Sequence, residues 1–552
     1  MKAFTEPLLS LAGFEEMTKT AEKSSGLISV TGCIDAQKSQ MIYAFGGHRK
    51  NKLIVTFGEQ KAKELYDEYS FFDKEVVYYP SKDVLFYQSD IRGNLLTAER
   101  IRALKAIHEQ ESVTLVTTFD ALMNTMAPIE KMWENVLTLE QGQLLDLKEI
   151  QAALIRMGYE KEYQVQTMGQ FSVRGGILDV FPLTEDNPIR IELWGDEIDT
   201  IRYFDCESQK SIENTDRVSI YPAAELVLSD EEKAGGIEKL KAEAKRVSDK
   251  LRKQMKTEEA HRVTVMADEL TEEWGELSMY AGMDAFLSYF FDERVGLLDY
   301  FNPSDSLIFF DELTRCAEQG KLTETEFSES MKQRLAMGYI LPGQMNGLFT
   351  EKEIVAKLGK YSCIALAALD NKANGLHQLG SYGIHCQSVS PYNNSFELLI
   401  KDLKRYKKNG YRVILLSGSR TRAKRLSEDI TDQGITCFYT ENYDHELFEG
   451  QIMVCYGKVR RGFEYPILKF AVITESDIFG AQQKKKKRHR TYEGEKIQSF
   501  TDLSVGDYVV HENHGLGIYR GIEKLEVDKK VKDYIKIEYQ GGSNLYILAT
   551  QL

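Results

Sequence analysis

The chain has 552 residues, 42% hydrophobic and 28% charged, with a formal net charge of −15. Its length exceeds what one hydrophobic core can organise and predicts roughly three to five domains. No apolar run approaches the roughly 18 residues of a membrane span, and the N-terminal MKAFTEPLLSLAGFEEM lacks the basic start and long apolar stretch of a signal peptide. The expected setting is therefore the cytoplasm, with no membrane partner.

From 26 to about 120, strand-like runs (GLISV, KLIVTFG, EVVYYP, VTLVTTF) alternate with helix-like ones (EQKAKELYDEYSFF, LLTAERIRALKAIHEQ). Such alternation predicts a parallel sheet covered by helices. Within it, TGCIDAQKSQ nearly satisfies the phosphate-loop pattern: Gly32 opens the spacing and Lys38 and Ser39 close it, but Gln37 stands where the second glycine belongs. A Cβ at that position hinders the approach of backbone N–H groups to phosphate oxygens, and Asp35 adds a negative charge to a loop meant to attract anions. Two readings remain: a phosphate loop that has lost its function, or a fortuitous strand-to-helix turn.

Between 160 and 222 the pattern changes to short alternating strands with tight turns (FSVRGGILDVFP, IRIELWGDEIDTIRYFD, RVSIYP), which predicts a separate antiparallel module. Helical signals return in GIEKLKAEAKRVSDKLRKQM and run on to SLIFFDEL. There Asp311 and Glu312 end an apolar strand as the magnesium- and water-positioning acids of phosphate-loop ATPases do; any buried strand entering an acidic helix start reads the same way. After 395 a further helix and strand series (SFELLIKDLKRYKKNG, YRVILLSG, SRTRAKRLSEDITDQG, QIMVCYG, FAVITESDIF) predicts a small α/β domain. KKKKRHR at 484 to 490 reads as a solvated linker, with nonspecific nucleic-acid attraction as the alternative. The end of the chain alternates as strands, the last two joined through Gly541 and Gly542, and predicts a small β-barrel.

Seven scattered cysteines with no CxxC pair read as reduced thiols. His511 and His514 stand three apart without further ligands nearby, so they read as turn and strand residues, and no metal site is expected. The acidic balance argues against nucleic acid as the main partner of this portion and favours docking on proteins.

Several of these stretches resemble one family, the bacterial transcription-repair coupling factors, whose N-terminal portion is similar to the excision-repair protein UvrB. GQFSVRGGILDVFP with IRIELWGDEIDTIRYFD is similar to the UvrA-binding domain that both share. KVRRGFEYPILKFAVITESDIFG resembles the family's third domain, and VGDYVVHENHGLGIYRGIEKLEV its RNA polymerase interaction domain, a Tudor-like barrel also found in CarD-type regulators. The resemblance covers essentially the whole chain.

It implies a multidomain α/β and β protein. A degenerate UvrB-like (RecA-like) domain would occupy 1–135 and 223–350, interrupted by the antiparallel UvrA-binding module at 136–222. A small α/β domain at 351–480, a basic linker at 481–497 and a Tudor/CarD-like barrel at 498–552 would follow. It further implies UvrA binding through Arg174, Arg190 and Trp194, and binding of the RNA polymerase β subunit through Tyr519, Arg520 and Leu525. For Trp194 and Leu525 a place in the local core is the competing reading. The resemblance places ATP, magnesium, the main DNA contacts and an ATP-dependent DNA translocase in motor domains beyond this chain. The chain itself is then a scaffold with no cofactor and no catalytic residue. The competing function is a UvrB-like, ATP-dependent enzyme using Lys38, Ser39, Asp311 and Glu312.

Overall fold

Buried strand runs such as LIVT and LIFF are apolar on both faces, and such strands are stable where helices cover each side of a parallel sheet. The computed structural model describes all residues except 47–48, 83–93, 207, 277–282, 370–373, 481–504, 512–514, 528–529, 540–543 and 549–552. Seven parallel strands lie in the order Gln378–Gly383, Gly26–Thr31, Ser362–Leu366, Ser306–Asp311, Asn51–Thr56, Thr114–Thr118, Val77–Tyr79. Strands 26–31 and 51–56 are thus not neighbours: two strands from more than 250 residues later separate them. The helices Asp35–Gly46, Glu59–Tyr69 and Asn94–Glu109 connect the early strands.

This order corrects the domain boundary expected at 351. Ser362–Leu366 and Gln378–Gly383 belong to the first sheet, so the second α/β layer begins only after Gly383. Strand 362–366 is completely buried between strands 26–31 and 306–311, a position that local pattern does not reveal. The second sheet has the order Gln387–Ser388, Phe463–Tyr465, Phe470–Thr474, Arg412–Ser417, Ile452–Tyr456, Phe438–Tyr439. A single apolar cluster joins it to the first through Phe4, Met41, Leu416, Met453 and Tyr465.

The inserted module is a six-strand sheet in the order Ser211–Thr215, Glu197–Phe204, Ile189–Trp194, Ile177–Val180, Gln170–Arg174, Glu160–Lys161. Leu154, Phe171, Ile191 and Ile201 are among the residues filling its core. Two-residue turns tighten it: Gly195, at φ 64°, connects Trp194 to its cross-strand partner Glu197, a left-handed conformation that glycine adopts without steric penalty. Downstream, helices Asp230–Lys253 and Thr257–Glu276 pack as a hairpin, the first opened by a reciprocal Ser229–Glu232 cap.

The C-terminal strands form a separate unit. Its described residues make an antiparallel ladder, Tyr508–His511, Gly515–Val527, Lys530–Glu538, Asn544–Leu548, each strand paired with the next. The predicted last hairpin is present as the 530–538 and 544–548 pair, while Gly541, Gly542 and His514 lie outside the described residues, as does the basic run 484–490. All seven cysteines are free thiols, five of them buried.

Candidate functional sites

The segment that nearly matches the phosphate-loop pattern lies at the carboxyl end of strand 26–31, where the chain enters helix 35–46. That helix starts at Asp35, so residues that would have to wrap a phosphate are already helical. Gly32 has φ 78°, but a Cβ built there would stand 2.1 Å from the Ile384 carbonyl oxygen: the following segment lies directly over the glycine. The N–H groups of Gly32 and Cys33 already donate to the Ala368 and Ala367 carbonyls at 3.3 and 2.9 Å.

Lys38 is buried and points inward, not toward a ligand. Its Nζ donates to Asp311 Oδ1 at 2.5 Å, Glu312 Oε1 at 2.8 Å and Asp35 Oδ1 at 3.2 Å. Thr56 Oγ1 and the Ala368 N–H supply further donors to Asp311 and Glu312. Burial works against the ammonium, yet the two facing carboxylates outweigh it and hold the Lys38 pKa above that of a free lysine. Glu312 adopts a left-handed backbone, φ 59°, to reach this position, a conformation costing about 1–3 kcal/mol in a non-glycine residue.

Gln37 is fully buried, and its Oε1 accepts from Tyr465 Oη at 3.3 Å. Ser39 Oγ, the magnesium-facing atom of a working loop, is buried with no hydrogen-bond partner among the described residues. The four positions Gly32, Gln37, Lys38 and Ser39 are therefore brought together, as the spacing predicts, but the arrangement does not fit a nucleotide phosphate with its metal. Burial also pushes the neighbouring Cys33 thiol up to about 12, which makes it a packing residue rather than a nucleophile.

In the antiparallel module, Arg174 and Arg190 converge on one buried carboxylate that the sequence reading overlooked. Asp179 accepts from Arg190 Nε at 2.7 Å and from Arg190 and Arg174 Nη2 at 2.8 and 2.9 Å. The Arg190 guanidinium also lies 4.3 Å from the Phe204 ring centre. The Arg190 fork is thus engaged by Asp179 within the module; Arg174 is the more exposed of the two. The signal for Asp179 was its place between Leu178 and Val180, cross-strand from Arg190. Trp194 is 85% exposed, which removes the core-packing reading. Arg190, Glu192 and Trp194 alternate on the strand face turned away from the core.

On the C-terminal ladder, Tyr519 is buried, which corrects the expectation that it is available to a partner, and Arg520 is ion-paired to Glu538. Arg520 sits at a register shift between Tyr519 and Gly521. Leu525 lies opposite Lys532 in the long hairpin formed by strands 515–527 and 530–538; its side chain is outside the described residues.

Residues 137–226 match the UvrB interaction domain family, and residues 503–552 match the CarD-like/TRCF RID domain family. The chain thus carries a repair-protein interaction module and a CarD-like module in one polypeptide. It is similar to the transcription-repair-coupling factor of Bacillus subtilis, 30% identical over 502 residues, covering 90% of this chain and 42% of the relative. The factors of Staphylococcus haemolyticus (29% identity, 95% and 44%) and Staphylococcus aureus strain USA300 (27%, 98% and 46%) are similar to the same extent. These findings bear out the family resemblance read from the sequence, and the chain spans less than half the length of these curated relatives.

Proposed function

We propose that this chain is a docking scaffold of transcription-coupled DNA repair, binding UvrA through residues 137–226 and the RNA polymerase β subunit through the C-terminal ladder. The observation that carries the reading is the presence of a UvrB interaction domain and a CarD-like/TRCF RID domain in one chain, together with an upstream 32–39 segment whose lysine is taken up by Asp311. On this reading the seven-strand sheet is a degenerate UvrB-like, RecA-like domain, and the C-terminal strands belong to a Tudor-like barrel. The chain holds neither ATP nor magnesium and acts in the cytoplasm. ATP-driven translocation on DNA, which the resemblance implies for whole coupling factors, does not run through Lys38.

Pull-down of purified UvrA and of the polymerase β subunit by the chain, with calorimetry against Mg-ATP, tests the proposal. Binding of both proteins with no saturable nucleotide heat at high micromolar ATP is expected. A micromolar nucleotide site abolished by Lys38→Ala would favour the UvrB-like enzyme instead.

A further inference from the structure

The hairpin tip around Trp194 carries a surface that the Arg174–Arg190 reading does not use. Trp194 is paired across the turn with Glu197, and Glu197 bridges on its other side to Leu144. Directly opposed residues of antiparallel strands project on the same face, so Trp194, Glu197 and Leu144 form a row. Both apolar members are strongly exposed, Trp194 at 85% and Leu144 at 75%. Beside them lies a hollow of about 620 Å³ whose walls include Glu140, Glu197, Asp199, Asp216 and Arg217. Arg217 pairs with Glu140 at 3.3 Å, while Glu197, Asp199 and Asp216 have no ion pair among the described residues.

An exposed indole face next to carboxylates that lack counter-charges matches the chemistry of a guanidinium, which stacks flat on an aromatic ring while its N–H groups reach carboxylate oxygens. The same module already holds one arginine in this way: Arg190 lies over Phe204 and closes on Asp179. From the charge complementarity and the unpartnered apolar row, we propose that the Trp194 hollow is a slot for an arginine side chain presented by the partner protein. This rests on the UvrA reading above and deepens it: Trp194 is the platform, and Glu197, Asp199 and Asp216 are the acceptors.

Two measurements separate the slot from the identity of its occupant. The indole N–H resonance of Trp194 is followed by NMR during titration with L-argininamide, with uncharged norvalinamide as control. Affinity for UvrA is measured in parallel for the unaltered chain, Trp194→Ala, and the triple variant Glu197→Gln/Asp199→Asn/Asp216→Asn. All four positions are on the surface, and a circular dichroism melt checks each fold.

The proposal expects a saturable Trp194 shift with argininamide only, at least threefold weaker in the triple variant. It also expects UvrA affinity to fall at least tenfold in both variants, with a flatter salt dependence in the triple one. Absence of the argininamide shift, or UvrA affinity unchanged within twofold in the triple variant, overturns the slot, while a loss in Trp194→Ala alone leaves the UvrA reading standing. An argininamide shift with no UvrA binding by the unaltered chain overturns the UvrA reading and leaves the slot. Concentration-dependent self-association abolished by the triple variant would make the occupant a second copy of the chain and overturn the proposal as stated.

Discussion

Tyr465 Oη donates to Gln37 Oε1 across the seam between the two α/β sheets, at 3.3 Å and with both side chains fully buried. The residue that breaks the phosphate-loop pattern is therefore a contact between layers. Tyr465 also reaches Gln40 Oε1, whose amide in turn donates to the Phe4 carbonyl. Restoring the pattern with Gln37→Gly is expected to lower stability by about 2–3 kcal/mol, through a lost hydrogen bond and a glycine inside a helix. It is not expected to create a nucleotide site, because Lys38 stays caged. Urea unfolding and Mg-ATP calorimetry on the variant check both halves; tight ATP binding would show that Gln37 alone had closed the loop.

Lys38→Met leaves Asp311 and Glu312 facing each other without their cation and should cost about 3–5 kcal/mol at neutral pH. The Lys38 pKa is raised in the folded protein above the ordinary 10.5, so its contribution is complete below that value and is lost as pH climbs through the raised one. The stability difference between the two proteins should hold constant from pH 7 to 10 and narrow above it. A difference that already shrinks at pH 8 would contradict the caged geometry.

Glu68 faces the second sheet, and burial pushes its carboxyl up from 4.5 to about 7 despite the attraction of Arg460 and Lys61. A raised acid contributes fully below its unfolded value and loses that contribution as pH rises through the folded one. Glu68→Gln should therefore gain on the unaltered protein between pH 4.5 and 8, by up to about 3 kcal/mol. Melting curves across that range give the answer, and parallel pH profiles would refute it.

Because Asp179 is buried beneath two arginines, substitutions in the antiparallel module should divide into two kinds. Arg190→Ala strips Asp179 of its bidentate partner and is expected to destabilise the module by about 2–4 kcal/mol as well as weaken UvrA binding. Trp194→Ala is expected to weaken UvrA binding by ten- to hundredfold with an unchanged melt. Arg174→Ala should behave as the surface residue does. Equal melts for the Arg190 and Trp194 variants would show that Asp179 finds another partner.

Leu525→Arg places a charge opposite Lys532 on the long hairpin. Retention on immobilised polymerase β is expected to drop at least tenfold while the far-ultraviolet spectrum is preserved. Full retention would remove Leu525 from the interface, and joint loss of retention and fold would place it in the ladder's core.

Element types were legible locally. GLISV, SLIFFD and YRVILLS are continuous apolar runs that become buried strands, and IRIELW alternates because only one of its faces is covered. The tight turns between the short alternating runs of 160–222 likewise announced an antiparallel module. The boundary at 351 went astray because a buried strand looks alike whichever sheet it joins, and only the pairing of 362–366 with 26–31 and 306–311 decides it.

The order of the strand and helix series, the near-miss to the phosphate-loop pattern at Gln37 and the alternation that puts Arg190 and Trp194 on one strand face were legible in the sequence, since spacing and side-chain chemistry are local properties. The tertiary structure alone decided what those residues do. Lys38 meets Asp311 across 273 positions, Gln37 meets Tyr465 across 428, and Arg190 surrenders its fork to Asp179. Whether a charged side chain faces a ligand or a neighbour depends on which distant segment closes over it, and that is fixed by how the strands are ordered in the sheet.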